Sequence, residues 1–242
     1  MILLLDFGNT RVKAAVMDGS VMRHIYAGPV LKESLSEAVE GLRIDGGMWC
    51  SVHKPDDSVI GWMEGLGLKP LTSSTPVPIA NAYGTPQSLG MDRLAAVVGA
   101  WSMLPGQDLL VIDAGTAITY DFVSADGTYM GGNIAPGIGL RFASLHEHTS
   151  QLPLVTAHGD VPLSGCDTVS AIRGGVLRGV RYEVKGYIDE LSARYPSLLV
   201  FLTGGDADFF DIRGKSTIFA VPDLVLYGLF RIVEYKDDKS VL

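Results

Sequence analysis

The chain has 242 residues, 47% of them hydrophobic and 19% charged, which suits one large domain or two small lobes with real cores and leaves no room for a long disordered part. Its formal net charge of −8 excludes nucleic acid as the main partner, because no basic field exists to release phosphate counterions. An acidic protein that takes an anion must do so locally, with a few cations, backbone N–H groups or a metal ion.

The opening run Met1-Ile2-Leu3-Leu4-Leu5 is apolar but ends at Asp6, lacks a basic leader and is too short for a signal sequence. No stretch approaches the roughly 18 apolar residues of a membrane span. Cys50 and Cys166 are too few for a disulfide framework and sit in no Cys/His ligand spacing, so two reduced thiols in a soluble, cytoplasmic protein are expected. After Asp6-Phe7-Gly8-Asn9-Thr10, the alternation of Val12, Ala14 and Val16 predicts a strand, and Asp18-Gly19 fits a hairpin turn. Helical spacing follows around Leu31–Leu42. The segment Thr72–Pro78 reads as a loop, and Asp92–Trp101 reads as a helix in which Ala and Leu outweigh the Val pair.

A second apolar run, Leu109–Ile112, ends in Asp113-Ala114-Gly115-Thr116. It is followed by an alternating strand (Ile118, Tyr120, Phe122) and a turn at Asp126-Gly127. The order strand, Asp-x-Gly-(Asn/Thr), strand, Asp-Gly turn thus occurs twice, 107 residues apart when measured from Asp6 to Asp113. This predicts two related halves, 1–106 and 107–242. The second half continues with helices over Ile138–His146 and Thr168–Ile188, and with a strand over Leu198–Thr203 that ends in Gly204-Gly205-Asp206-Ala207. Strands alternating with helices predict an α/β protein with partly parallel sheets, whose ligands sit beyond the carboxyl ends of the strands. All three Gly-containing turns fall there.

A carboxylate at a strand end followed by a tight glycine turn can hold a hydrated cation and offer backbone N–H groups to phosphate. Lys13, three residues past Thr10, adds a compact positive charge. Alone, this pattern also describes an ordinary hairpin. Two such loops are more specific, because phosphoryl transfer asks the protein for alignment and charge compensation more than for covalent chemistry.

Asp6-Phe7-Gly8-Asn9-Thr10, Asp113-Ala114-Gly115-Thr116 and Thr203-Gly204-Gly205-Asp206-Ala207 resemble the two phosphate motifs and the adenosine motif of the acetate and sugar kinase, Hsp70 and actin superfamily. The segment Tyr83-Gly84-Thr85-Pro86-Gln87-Ser88-Leu89-Gly90-Met91-Asp92-Arg93 resembles the Gly-x-Asp-Arg signature of type III pantothenate kinases. Gly131-Gly132-x-Ile134-x-Pro136-Gly137, Thr149-x-x-Leu152-Pro153, Gly165-x-x-Thr168 and Pro222-Asp223-Leu224-Val225 match that family too, although Ser150 replaces its usual Ala or Lys.

The resemblance implies two ribonuclease H-like lobes of the actin-like ATPase fold with a nucleotide cleft between them, and ATP-dependent phosphorylation of pantothenate on the way to coenzyme A. It implies an ATP site over Asp6, Phe7, Gly8, Asn9, Thr10, Arg11, Val12 and Lys13 with Thr116, and Mg²⁺ held by Asp6 through water. It assigns Asp113 to an activating potassium or ammonium ion, and Tyr83, Gly90, Met91, Asp92, Arg93 and Thr168 to pantothenate. Asp92 would be the catalytic base, and the family's site lies near a homodimer interface.

Asp92 is equally placed to cap the helix that follows it, and Arg93 to make a surface ion pair. His146-Glu147-His148 sets two imidazoles at i, i+2, which diverge on a helix and suit zinc poorly. Arg173, Arg178 and Arg181 read as a solvated helix face, and Tyr182, Tyr187 and Tyr195 as packing or interface aromatics. No P-loop sequence is present. The rival functions are a sugar kinase of the same fold and a nucleotide-binding regulator without catalysis.

Overall fold

The computed structural model describes residues 1–210 and 217–240. The chain forms two units, Met1–Gly106 with Val123–Gly131 and Asp223–Leu242, and Gln107–Phe122 with Gly132–Pro222.

In the first unit, strands β1 (Ile2–Phe7), β2 (Val12–Asp18), β3 (Val21–Gly28), β4 (Gly46–Ser51) and β5 (Leu68–Pro70) form a sheet in the order β3-β2-β1-β4-β5. β1–β2 and β2–β3 are antiparallel, and β1–β4 and β4–β5 are parallel. The hairpin expected at Asp18-Gly19 joins β2 to β3, with Gly19 at φ 60, a conformation glycine adopts without a Cβ penalty. Leu3, Leu4 and Leu5 are all fully buried, so β1 is covered on both faces and reads as a continuous apolar run rather than an alternation. One face packs Leu3, Leu5, Phe7, Val12, Ala14 and Val16 against Leu35 of α1 (Lys32–Ala38) and Val59 and Met63 of α2 (Asp57–Gly65). A short β6 (Ala80–Asn81) runs parallel to residues Thr128 and Tyr129.

Helix α3 (Met91–Met103) packs along the C-terminal helix, here termed α6 (Leu224–Ser240), and both touch β4. A Cβ on Gly228 would lie 1.8 Å from the Ala95 carbonyl oxygen, and one on Gly99 would lie 2.6 Å from that of Leu224. Only glycine at both positions lets the two backbones touch. This packing corrects the expected boundary: Asp223–Leu242 and Val123–Gly131 belong with the first unit, not with a lobe running from 107 to 242.

β7 (Leu109–Ala114), β8 (Ala117–Val123), β10 (Leu199–Thr203), β11 (Ile218–Ala220) and β9 (Thr128–Pro136), whose first four residues belong to the first unit, follow the order β11-β10-β7-β8-β9, with β6 beyond β9. β10 is parallel to both β7 and β11. Reversed, this is the order of the first sheet, so the internal repeat is one of topology as well as of motif. Helices α4 (Ile138–Glu147) and α5 (Thr168–Arg194) close a core that includes Leu110, Ile112, Ile118, Phe142, Leu177 and Val180. Asp167 starts α5 through a capping box with Ser170.

Candidate active site

In the first unit the turn after β1 is closed by Gly8 N–H donating to the Arg11 carbonyl at 3.0 Å. Register sets Asp6 between Lys13 of β2 and Cys50 of β4, and the Cys50 thiol donates to Asp6 Oδ1 at 3.5 Å. Asp92 lies in the first turn of α3, behind Gly90 at the N-cap position. Its Oδ1 accepts the Arg93 backbone N–H at 2.9 Å, and the helix N-terminus favours its anionic form. Asp92 is therefore not the N-cap residue, although it does use its carboxylate on the helix's first turn.

Asp6 and Asp92 share one electrostatic environment. Burial first, and then the Asp92 charge, push the Asp6 carboxyl up to about 6, against the lowering effects of Lys13 and the Cys50 thiol. Burial, with Asp6 and Asp92 behind it, likewise pushes the Cys50 thiol upward. A buried carboxylate that also feels a second carboxylate suits a hydrated divalent cation, which would favour its charged form. The residues present thus fit Mg²⁺ beside Asp6.

Asn9, Thr10 and Arg11 are exposed at the tip of the turn, whereas Phe7 and Val12 are fully buried. Phe7 packs edge-on to Trp49, ring centroids 6.1 Å apart. The last two can serve a nucleotide only through main-chain atoms.

Next to Asp92, Arg93 is 6% exposed, so the alternative of a surface ion pair gives way to a buried guanidinium. It lies 5.6 Å from the centroid of the Tyr83 ring, and Tyr83 stacks at 6.1 Å and 7° on the fully buried Tyr129. Tyr129 escapes a reading of the sequence because it lies 46 positions from Tyr83, and only the pairing of Asn81 with Tyr129 brings it near. Cys50 escapes for the same reason, since strand register alone sets it beside Asp6.

In the second unit Asp113 is the penultimate residue of β7, and the turn after Ala114 is only Gly115-Thr116. Gly115 N–H donates to the Ala117 carbonyl at 3.0 Å, Gly137 N–H to the Thr116 carbonyl at 2.9 Å, and Asp206 N–H to the Ala114 carbonyl at 2.9 Å. A Cβ on Gly137 would lie 2.2 Å from the Gly115 carbonyl oxygen, and one on Gly204, at φ +96, would lie 2.5 Å from Asp113 Oδ1. Three motifs far apart in sequence thus converge on Asp113 and Thr116. A half-buried carboxylate among backbone carbonyls is an oxygen donor set suited to a hard cation. Thr168 is the exposed first residue of α5.

Arg173, Arg178 and Arg181 of α5 are not simply a solvated face, although Arg181 is exposed. Arg173 donates to the Thr156 carbonyl, Arg178 to those of Val161 and Pro162, and Arg181 lies 4.4 Å over the Phe209 ring. They supply donors to carbonyls of irregular backbone that has no ladder to satisfy it. The His146 ring is likewise engaged, its Nδ1 being 2.8 Å from the Leu152 carbonyl oxygen. Tyr187 stacks on Tyr120 and Tyr195 packs on Phe122, while Tyr182 is exposed. A mostly apolar cavity of about 410 Å³ lies between α4 and α5, lined by Pro136, Arg141, Leu145, Ile172 and Val176 among others. It contains none of the expected site residues.

Among solved structures, a protein of Campylobacter jejuni described as a Baf family transcriptional activator superposes with a TM-score of 0.63 at 21% identity, covering 98% of this chain and 100% of that one. The activator of 2-hydroxyisocaproyl-CoA dehydratase from Clostridium difficile, with bound ADPNP, gives 0.50 at 13% identity, covering 100% and 97%. These likenesses establish the fold as that of the actin-like ATPases. A type III pantothenate kinase of Phocaeicola vulgatus is 47% identical over 98% of this chain and 99% of its own. One of Flavobacterium johnsoniae is 39% identical over 99% and 100%. A family model described as type III pantothenate kinase matches residues 2–190, and with these full-length relatives it shows that the chain belongs to the type III pantothenate kinase family.

Proposed function

We propose that this chain transfers the γ-phosphoryl group of ATP to the primary hydroxyl of pantothenate, forming 4'-phosphopantothenate, the first step of coenzyme A biosynthesis. The observation that carries the proposal is the convergence of Asp6, Lys13 and Asp92 in one unit, with a buried Arg93 beside them, in a chain of this family.

Each residue has a physical task. Asp92 accepts a hydrogen bond from the pantothenate hydroxyl and orients it. A carboxylate of ordinary pKa ~3.9 is a weak base, but in a loose transition state the proton leaves late, so orientation outweighs basicity. At the helix N-terminus the Asp92 carboxylate sits where negative charge is favoured. Arg93, with Tyr83, Gly90, Met91 and Thr168, holds the substrate, the guanidinium forking onto its carboxylate.

The Asp6–Lys13 turn receives the ATP phosphates, with Lys13 offsetting their charge and Thr116 contacting phosphate. Bound Mg²⁺ supplies charge neutralisation at the phosphates, and Asp6 would hold it through water. Asp113 takes a potassium or ammonium ion. Two anionic substrates meeting a chain of net charge −8 make such cation dependence physically expected. The enzyme works as a cytoplasmic homodimer. No helix among the described residues is long and apolar enough to cross a membrane.

A coupled ADP-release assay tests the proposal, run with and without pantothenate and potassium. ADP should appear only with pantothenate and rise with potassium, and a sugar panel should give none. The description of the Campylobacter jejuni neighbour as a transcriptional activator favours a second reading, a nucleotide-binding regulator. Nucleotide binding without pantothenate-dependent ADP would select it.

A further inference from the structure

Lys13 and His24 share one face of the first sheet. Val12, Ala14 and Val16 turn into the core beneath α1 and α2, so Lys13 and Ala15 point to the opposite face. Register sets His24 opposite Ala15, just past a bulge between Ala14 and Ala15. Helix α6 packs on that face, against β1, β2 and β4.

The residue that precedes α6 is Asp223, and it reaches both side chains. Its Oδ2 lies 2.8 Å from His24 Nε2, and its Oδ1 lies 3.9 Å from Lys13 Nζ. Its carbonyl accepts the Tyr227 N–H at 2.9 Å, which fixes the backbone at the helix start. The carboxylate is thus held from two sides, with one oxygen left to face the ammonium.

We infer that Asp223, oriented by His24, is a positioning residue that keeps the Lys13 ammonium turned toward the phosphate loop before nucleotide arrives. The inference rests on the assignment of Lys13 to the ATP phosphates. A lysine side chain has four rotatable carbons and a strongly hydrated head, and holding it in one place costs rotamer entropy. Asp6 also lies within its field; it is the carboxylate assigned to the cation, and an ammonium lying there would compete with Mg²⁺. Asp223 offers a different resting place.

The contact suits a hand-over. At 3.9 Å, with both side chains roughly a quarter to a third exposed, it is a loose, screened ion pair without a hydrogen bond. An arriving polyphosphate, more highly charged and able to accept directly from the ammonium, displaces it.

Calorimetric titration of MgATP into the full-length protein tests this, together with steady-state kinetics. Asp223→Asn keeps the shape and a polar contact to His24 but removes the charge. It should raise the MgATP Kd and KM by about fivefold, the upper range for an exposed pair, and leave the pantothenate KM within twofold. His24→Gln should act in the same direction with a smaller effect. Lys13→Met should raise Kd on the order of 10–100-fold, and adding Asp223→Asn to it should change nothing further, because the two act as one unit.

Tighter MgATP binding by Asp223→Asn would mean that Asp223 only competes with phosphate, and the inference falls. It falls equally if the losses in the double variant add, or if the thermal midpoint drops while Kd stays constant. If the protein forms no pantothenate-dependent ADP but its MgATP affinities still follow the expected pattern, the kinase assignment fails and the positioning role of Asp223 stands.

Discussion

The two Asp-x-Gly turns sit at the same point of the same strand order, yet they have diverged in opposite directions. After β1 the turn has four residues, Gly8 to Arg11, and after β7 it has two, Gly115 and Thr116. Around Asp6 the neighbours are charged or polarisable: Lys13 on one strand, Cys50 on the other, Asp92 from a helix start. Around Asp113 they are backbone and small groups. Thr203 takes the place of Cys50 in register, and Gly137 and Gly204 bring carbonyls within van der Waals contact. Thr119, between the core-facing Ile118 and Tyr120 of β8, stands where β2 carries Lys13 between the core-facing Val12 and Ala14. One duplicated frame therefore carries an electrostatic turn in the first unit and a close-packed turn in the second. Duplication supplies the geometry, and a few side chains decide the chemistry.

Substitutions can break that contrast. The largest effect is expected at Asp92. Asp92→Asn should lower kcat by about 10²–10⁴ and leave MgATP affinity within about threefold, because it removes a hydroxyl acceptor and not a phosphate ligand. Retention of more than a tenth of the parent rate, in the coupled assay, removes Asp92 as the base. Next comes the close-packed turn. Gly137→Ala places a Cβ 2.2 Å from a carbonyl oxygen, and its melting curve should show a loss of about 2–4 kcal/mol.

At the electrostatic turn the expected sign is reversed. The carboxyl of Asp6 ionises near 3.8 when unfolded and near 6 when folded, so the folded state binds its proton more tightly. The ionised group then costs stability above pH 6, and costs nothing below pH 3.8. Asp6→Asn without Mg²⁺ should be more stable than the parent at pH 8, by at most about 3 kcal/mol. The gain should shrink through pH 6 and vanish by pH 4, and a pH-independent difference in denaturation midpoints would refute the burial argument. The smallest effect belongs to Gly8→Ala. There the added Cβ meets only the Arg11 carbonyl at 3.3 Å, at a φ outside the left-handed region, and stability should change by less than about 1 kcal/mol. An equal loss at Gly8 and Gly137 would erase the distinction between the turns.

Much of the frame is legible in the sequence. The apolar runs ending in Asp6 and Asp113, the glycine after each, and the helix from Met91 follow from local pattern, and the structure extends α5 only from Ile188 to Arg194. What is not legible depends on contacts across long separations. Nothing in the tail announces that Gly228 meets Ala95 and carries α6 to the first unit. Arg173, Arg178 and Arg181 look like a solvated face because their partners are carbonyls of a segment without periodicity. Arg93 looks like a surface residue because a charged side chain beside Asp92 at a helix start carries no local sign of the burial it has.

By itself the sequence determined the elements, the twofold repeat and the residue types that suit phosphoryl transfer, since these rest on local periodicity, on turn chemistry and on charge at strand ends. Tertiary structure alone decided which groups share a field. Strand register puts Cys50 on Asp6, and a helix start brings Asp92 near enough to raise its pKa. The fold of the C-terminal tail sets Asp223 between His24 and Lys13. The reason is physical: electrostatic coupling depends on distance and burial, and neither is a property of a residue's place along the chain.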